Sequence, residues 1–343
     1  MFEKDRIAID LGATNMKIMV GNKKEVKLFG TIETPEGSIN DDKIVNLEEI
    51  KKSLQSFLKK NNVRTKEISF TIHGQDVISR HTELPILDDN GIRTSLEWEM
   101  NQYLPKDISE YTVDYEIIER VDTLEKKALR LLVAAVPKEK VNQLVKLAEI
   151  LGMEITAIDI NANCACRVFR EYSKKNSLTE GIGVIDLGTN NTNIIILDKG
   201  KLFIEREIPF GTNNIIKEII RKENLDIDKA KEYLEKEINI FDGEEGTDIE
   251  KKILNLFDNV FSSLEKIVTF YTIGKSKNNL DEIYLIGNGK RIKGLDKYAS
   301  NYFNSKVSYL DKVDKIGMKI KLSNDCDINQ YIGTLGLLLR RKK

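Results

Sequence analysis

One motif occurs twice in this chain. In Ile7-Ala8-Ile9-Asp10-Leu11-Gly12-Ala13-Thr14-Asn15-Met16-Lys17-Ile18-Met19-Val20, an apolar run delivers an Asp and a Gly lets the backbone turn. Small polar residues follow, and a second apolar run leaves. That is a β-hairpin with a tight polar tip. Gly183-Val184-Ile185-Asp186-Leu187-Gly188-Thr189-Asn190-Asn191-Thr192-Asn193-Ile194-Ile195-Ile196-Leu197 repeats it. Asp10 matches Asp186, Leu11 matches Leu187, Gly12 matches Gly188, Asn15 matches Asn191 and Ile18 matches Ile194, each 176 residues further on. That offset is about one domain, so the chain reads as a two-fold duplication. Its 343 residues suffice for two domains with sizeable cores.

Composition narrows the function class. The charge balances, with 54 Lys plus Arg against 55 Asp plus Glu, so no strong field draws nucleic acid or acidic lipid. Cys164, Cys166 and Cys326 are an odd and sparse set, which gives no disulfide framework and points to a reducing compartment. Cys164 and Cys166 lie in an apolar run and read as buried small hydrophobes. No apolar run approaches the roughly 18 residues of a membrane span. The first residues, Met1-Phe2-Glu3-Lys4-Asp5-Arg6, lack a signal-peptide pattern. A cytoplasmic protein is expected, or one held at the cytoplasmic side of a membrane by a partner.

Periodicity lays out the elements. Strand 26–34 follows the first hairpin. Apolar residues at Leu47, Ile50, Leu54, Phe57 and Leu58 give a helix over 46–60, and a strand follows at 67–72. Residues 75–156 read as a unit of their own. Its strand 77–83 precedes a turn at Asp88-Asp89-Asn90-Gly91 and a helix over 92–104 closed by Pro105. A hairpin of 113–121 with 128–136 comes next, then a helix over 137–151 and a strand over 154–160. Trp98 reads as core. A helix over 161–173 leads into a polar connection at 173–180. After the second hairpin come strand 201–209, helices 215–222, 226–237 and 248–271, and strand 282–286. Helix 295–303, a strand near 306–309 and an apolar helix over 331–340 with a basic tip close the chain. The acidic stretch 241–246 reads as solvated surface, because its spacing is wrong for calcium. His73 and His81 are the only histidines and read as structural hydrogen-bonding groups, since no third partner is evident.

The chemistry lies in the tips. Backbone N–H groups and small side chains at such turns suit phosphate oxygens. Gly12 and Gly188 permit close approach. Asp10 and Asp186 suit a hydrated Mg²⁺ that bridges phosphates. Lys17 supplies a cation to the first tip, where the second has neutral Asn193. A third piece, Ile283-Tyr284-Leu285-Ile286-Gly287-Asn288-Gly289-Lys290-Arg291-Ile292-Lys293-Gly294, reads as strand, glycine loop and helix start, which admits a flat base and ribose near backbone.

This order of parts resembles the actin-like ATPase superfamily, which implies an α/β fold of two ribonuclease H-like lobes. The first tip (Asp10, Gly12, Ala13, Thr14, Asn15, Lys17) resembles its first phosphate motif. The second (Asp186, Gly188, Thr189, Asn190, Asn191) resembles its second phosphate motif, and Gly287, Asn288, Gly289 and Ile292 its adenosine motif. Residues 158–168 and 331–339 resemble its two connecting helices. The extra unit at 75–156 is placed as in the FtsA and PilM proteins. Several stretches are similar to the PilM family of type IV pilus assembly proteins. These are Ser79-Arg80-His81-Thr82-Glu83-Leu84-Pro85, Trp98-Glu99 with Tyr103-Leu104-Pro105, Val113-Asp114-Tyr115, Val133-Ala134-Ala135-Val136-Pro137-Lys138, 147–159 with Gly152 and Asp159, and Ile208-Pro209-Phe210-Gly211-Thr212-Asn213.

The resemblance implies a first lobe of 1–74 with 157–180 and 325–343. It implies a small α+β insert at 75–156 and a second lobe at 181–324, with a subdomain near 212–280. It implies ATP and Mg²⁺ as ligands, with Gly211 and Lys231 joining the tips at the nucleotide and Asp10 and Asp186 reaching Mg²⁺ through water. Asn161 stands where hydrolysing relatives place the acid or Gln that positions water. As a poor base it implies slow turnover at most. The implied partner is the cytoplasmic N-terminal peptide of a PilN-like inner-membrane protein, gripped between the insert and the first lobe. Contact with pilus assembly ATPases and weak self-association fit the same resemblance; nucleic acid and direct membrane insertion do not. Two rivals share the superfamily. An FtsA-like division filament would carry a linker and an amphipathic helix after the last connecting helix, where this chain has Arg340-Arg341-Lys342-Lys343. A small-molecule kinase would need a further catalytic Asp motif, which is not found.

Overall fold

The alternating runs build two sheets of matching strand order. The computed structural model describes residues 4–40, 42–123, 125–176, 181–240, 246–273, 275, 279–311, 313–320 and 327–340. Cys326, residues 177–180 of the polar connection, 241–245 of the acidic stretch and the basic end at 341–343 lie outside the described residues. The chain divides into two units, Met1–Cys164 with Gly333–Lys343, and Ala165–Ile332.

In the first unit, five strands lie in the order Glu154–Ile160, Glu67–Ile72, Arg6–Leu11, Asn15–Asn22 and Glu25–Glu33. The hairpin and its third strand are antiparallel, and the first strand pairs in parallel with Glu67–Ile72. Ile7, Ile9, Phe70 and Ile50 are fully buried at the centre of its core. Ile50, Leu54 and Leu58 form the buried face of helix Leu47–Lys60, and the Asn46 side chain caps it by accepting from the Glu49 N–H.

The second unit repeats the scheme with strands Lys201–Ile208, Thr192–Asp198, Gly181–Leu187, Glu282–Gly287 and Val307–Ser308. Helices Thr212–Glu223, Ile227–Lys236 and Asp248–Thr272 pack beside that sheet around Phe257, Phe261 and Leu264.

The insert is smaller than the sequence grouping suggests. Its own sheet is antiparallel, in the order Ile78–Leu84, Lys127–Pro137, Tyr111–Asp122. Helix Asp89–Asn101 covers it with Ile92, Leu96 and Met100. Helix Lys138–Leu151 and strand Glu154–Ile160 belong instead to the first lobe: Leu144, Leu147 and Ile160 lie in its core, and the strand pairs in parallel with Glu67–Ile72. The expected turn at 88–91 is a helix start. The Asp88 side chain accepts from the Gly91 N–H at 2.8 Å, so these residues form the cap and first turn. Trp98 is not core: it is 74% exposed, because it lies off the face set by Ile92, Leu96 and Met100.

Both connecting helices straddle the division of units. Helix Asn161–Asn176 passes it after Cys164, and Ile332–Leu339 before Gly333. Cys164 and Cys166 are both buried, as expected. A Cβ on Gly336 would lie 2.5 Å from the Cys164 carbonyl carbon, so only glycine lets these backbones cross so closely. None of the described helices is long and apolar enough to cross a membrane.

Candidate functional site

The first tip is closed by backbone. The Gly12 N–H donates to the Asn15 carbonyl at 3.1 Å, and a Cβ on Gly12 would sit 2.7 Å from that oxygen. The Thr34 N–H and hydroxyl donate to the Thr14 and Gly12 carbonyls at 2.9 and 2.6 Å, tying the tip to the third strand. Ala13 packs against the lobe core and Thr14 is exposed. Asp10 and Lys17 are cross-strand partners, with Lys17 Nζ 3.2 Å from Asp10 Oδ2. The Thr71 hydroxyl donates to Asp10 Oδ1 at 2.7 Å, and His73 Nε2 lies 3.6 Å from that oxygen. His73 Nδ1 faces Asp42 Oδ1 at 3.4 Å. Behind it, buried Lys140 donates to the His73 carbonyl at 3.1 Å and pairs with Asp76. A cavity of about 30 Å³, room for roughly one water, is lined here by Leu11, Asp42, Ile44, His73, Lys140 and Leu144.

Burial alone would raise the Asp10 carboxyl, but Lys17, His73 and the Thr71 hydroxyl outweigh it and hold the acid below its usual range. Burial likewise works against a charged His73, yet Asp42 and Asp10 push its imidazole up to about 9. His73 is therefore an imidazolium at neutral pH with two carboxylate partners. Sequence reasoning missed this. Asp42 carries only a turn signature, and no spacing rule joins it to His73.

The second tip has the same backbone. The Gly188 N–H donates to the Asn191 carbonyl at 2.9 Å, and a Cβ on Gly188 would again sit 2.7 Å from that oxygen. From Asp186 to Asn191 the succession of half-buried, buried and exposed residues is the same as from Asp10 to Asn15. Here a helix start replaces the strand contact. Thr212 and Asn213 donate backbone N–H groups to the Gly188 and Thr189 carbonyls at 3.1 and 2.9 Å. The Asn213 amide reaches Asn190 Oδ1 at 2.7 Å, and the Asn191 amide reaches Glu207 at 3.1 Å. Gly211 permits this seat, since a Cβ would lie 2.6 Å from the Asn190 nitrogen. The glycine loop joins the same tip: the Asn288 N–H donates to the Leu187 carbonyl at 2.7 Å. Gly287, at φ +68°, leaves no room for a Cβ, which would sit 2.6 Å from Asp186 Oδ1.

The other expected residues are placed differently. Asn161 begins its connecting helix. A Cβ on Gly333 would lie 2.7 Å from Asn161 Oδ1 and 3.1 Å from the Thr71 methyl, so Asn161 neighbours the residue that holds Asp10. Ile292 is fully buried in the second core, and only its backbone can face a ligand. Lys231 lies on an exposed helix face, 3.2 Å from Asp228. Gly289 is buried at the start of a short 3-10 turn.

Two sheets of this order, each with an Asp-x-Gly hairpin tip, and a glycine loop on the second, define the actin-like ATPase fold. The chain belongs to the family described as type IV pilus assembly protein PilM, which matches residues 8–342. It is similar to a solved PilM–PilN type IV pilus biogenesis complex, with 18% identity, a TM-score of 0.83 and 97% of each chain covered. It is also similar in fold to MreB5 of Spiroplasma citri bound to AMPPNP, with 14% identity, a TM-score of 0.55, and 98% of this chain and 96% of that one covered. The cell division protein FtsA of Bacillus subtilis (strain 168) is 21% identical over 265 residues, 66% of this chain; the match spans 57% of the length of that relative.

Each tip offers a hydrated Mg²⁺ one carboxylate, Asp10 in the first and Asp186 in the second. Among the described residues, no group of three His, Cys, Asp or Glu side chains forms a direct metal cage, so a metal would be held through water. At the second tip, Asn193 stands in register opposite Asp186, and its Oδ1 is buried without a hydrogen-bond partner among the described residues. An orphaned acceptor beside a carboxylate suits a hydrated cation, whose waters are donors. At the first tip both Asp10 oxygens already face cations.

Proposed function

We propose that this chain is an ATP-binding scaffold of a type IV pilus machine, or of a related competence or secretion machine. The Asp10–Lys17 and Asp186–Asn191 tips take the phosphates, and the Gly287–Gly289 loop takes the adenosine. The chain docks the cytoplasmic N-terminal peptide of a PilN-like inner-membrane protein, which recruits it to the inner face of the membrane. One observation carries the reading: both tips share one backbone geometry, in a chain whose match to the PilM family runs from residue 8 to 342. Mg²⁺, when bound, neutralises phosphate charge. The chain's own residues orient the nucleotide. Asn161 is a poor base in the water-positioning place, which supports slow turnover or none. The family match favours this reading over a division filament. An exposed groove within the insert, rather than between it and the first lobe as the resemblance implies, supplies anchors for an extended peptide: Trp98 and Tyr103 are 74% and 49% exposed, with Leu84 beside them. Calorimetry with purified protein tests the nucleotide half. ATP should bind, and Asp186→Ala should weaken it about tenfold or more, as should Lys17→Ala. Unchanged affinity in both variants would remove the tips from the site.

A further inference from the structure

We propose that the groove on the insert reads a carboxylate, and that Arg80 is the residue that takes it. The docked segment is then an extended peptide with an Asp or Glu about four residues from its apolar anchor. This rests on the peptide-docking reading above and names the chemistry of the peptide.

Strand geometry brings the parts together. Side chains two apart on a strand share a face, so Arg80, Thr82 and Leu84 of strand Ile78–Leu84 form one row. The row meets helix Asp89–Asn101 and the turn that ends it. The Arg80 guanidinium carbon lies 3.4 Å from the centroid of the Tyr103 ring. Two residues on, the Thr82 hydroxyl donates to Glu99. Two further, Leu84 lines the groove with Trp98. Tyr103 is itself fixed, because its N–H donates to the Met100 carbonyl at 2.9 Å. A guanidinium held against an aromatic ring is pre-organised and loses little further freedom on binding.

The charge of Arg80 is unmatched. Every other described Lys and Arg from 78 to 137 has a carboxylate within 4.0 Å. Arg80 has no hydrogen bond or ion pair to a described residue, and its Nε is buried without a partner. A buried donor left unpaired is costly, and it marks a missing acceptor. The two acids of the groove are engaged elsewhere: Glu83 pairs with Lys126 and Arg130, and Glu99 accepts from Thr82. A carboxylate matches the guanidinium fork with two parallel N–H···O bonds, which a single backbone carbonyl does not supply. Arg80 and Leu84 are four residues apart, about 13 Å along the strand. An extended peptide lying along the row covers that length in about four residues, which sets the spacing of its acid from its apolar anchor.

The test uses the full chain and the N-terminal peptide of its PilN-like partner in two forms, native and with each Asp and Glu replaced by Asn and Gln. Calorimetry gives the affinities. Trp98 is the chain's one tryptophan, so its emission reports whether the peptide lies in the groove. Wild type should bind the amide form about tenfold more weakly than the native form. Arg80→Gln should lose about tenfold for the native form and bind the two forms within about twofold of each other. Arg80→Lys should recover only part of the loss, because an ammonium lacks the fork. The two peptides meet the same wild-type protein, so that comparison stands even where a variant fails to fold. Equal binding of both forms by wild type overturns the inference, as does a native peptide that binds without containing an acid. An equal loss for both forms in Arg80→Gln overturns it too, and leaves Arg80 as a support for Tyr103. If the native peptide does not bind, or binds without moving the Trp98 emission, the groove reading itself fails and this inference falls with it.

Discussion

A Cβ at Gly12 or at Gly188 meets the same obstacle, a backbone oxygen at 2.7 Å that no rotamer change can move. Either alanine must open its turn, at a cost of about 1–3 kcal/mol each. Gly12→Ala and Gly188→Ala should therefore lower thermal stability by similar amounts. Gly289→Ala should barely move the melt, because its nearest atom would be at an ordinary 3.5 Å. His73 adds a pH signature. Its imidazole is pushed up to about 9, against an unfolded value of about 6.5. A raised pKa means that the folded state holds the proton more tightly. The stabilisation is complete below about pH 6.5 and is lost as pH rises through 9. Asp10 and Asp42 are both held low, despite burial, by the same neighbours. Their contribution is present above the ordinary carboxylate range and is lost as pH falls through their folded values. In urea titrations the stability gap between wild type and His73→Gln should be widest near neutral to mildly acidic pH and should shrink above pH ~9. A gap that grows with pH would contradict the assigned charge.

At the scale of elements, the Asp88 cap and the exposed Trp98 make opposite predictions for one helix. Asp88→Ala removes the acceptor for the Gly91 N–H and should cost about 1 kcal/mol in chemical unfolding. Trp98→Ala touches no core residue and should change stability by about 0.5 kcal/mol or less, while weakening a PilN-like N-terminal peptide about tenfold in fluorescence titration. Unchanged peptide affinity would place the peptide elsewhere on the protein. The same helix shows what the sequence makes legible. Ile92, Leu96 and Met100 at i, i+4 and i+8 fix a buried face, and Trp98 lies off it. Asp-Asp-Asn-Gly is ambiguous because a turn and an N-cap use the same residues for the same reason, a side chain that accepts a backbone N–H. Strands 67–72 and 154–160 are legible with their bounds, as is helix 295–303. The partnership of those two strands is not, since parallel pairing across a long crossover leaves no local mark. The site divides likewise. The tips are legible because duplication writes them twice. The ring of His73, Asp42 and Lys140 exists only once three distant segments meet at one corner of the sheet.

For the whole molecule, the proposed ligands meet the first unit at different elements, ATP at the first tip and peptide at the insert. That unit has a physical route between them. Asp10 faces His73, the His73 carbonyl accepts from Lys140, and Lys140 pairs with Asp76, just before the insert's first strand Ile78–Leu84. Gly74, at φ +123°, sits within this run, with the Lys140, Asp42 and Asp76 side chains crowded against it. A ligand that changes the charge at Asp10 acts on this chain of contacts. The consequence can be measured only as a coupling: ATP shifts peptide affinity by the same factor by which peptide shifts ATP affinity. The factor is expected in the ordinary range of about 5–150 and should be read by calorimetry in both orders. Lys140→Met should bring it toward one while leaving the peptide affinity of the ATP-free protein within about threefold, because Lys140 is only 3% exposed and reaches the insert through Asp76. A coupling factor of one in wild type would mean that ATP and peptide bind independently and that nucleotide serves stability alone, as RT ln(1 + [L]/Kd). A factor that survives Lys140→Met would move the route away from His73 and onto the packing of helix Lys138–Leu151 against strand Glu154–Ile160.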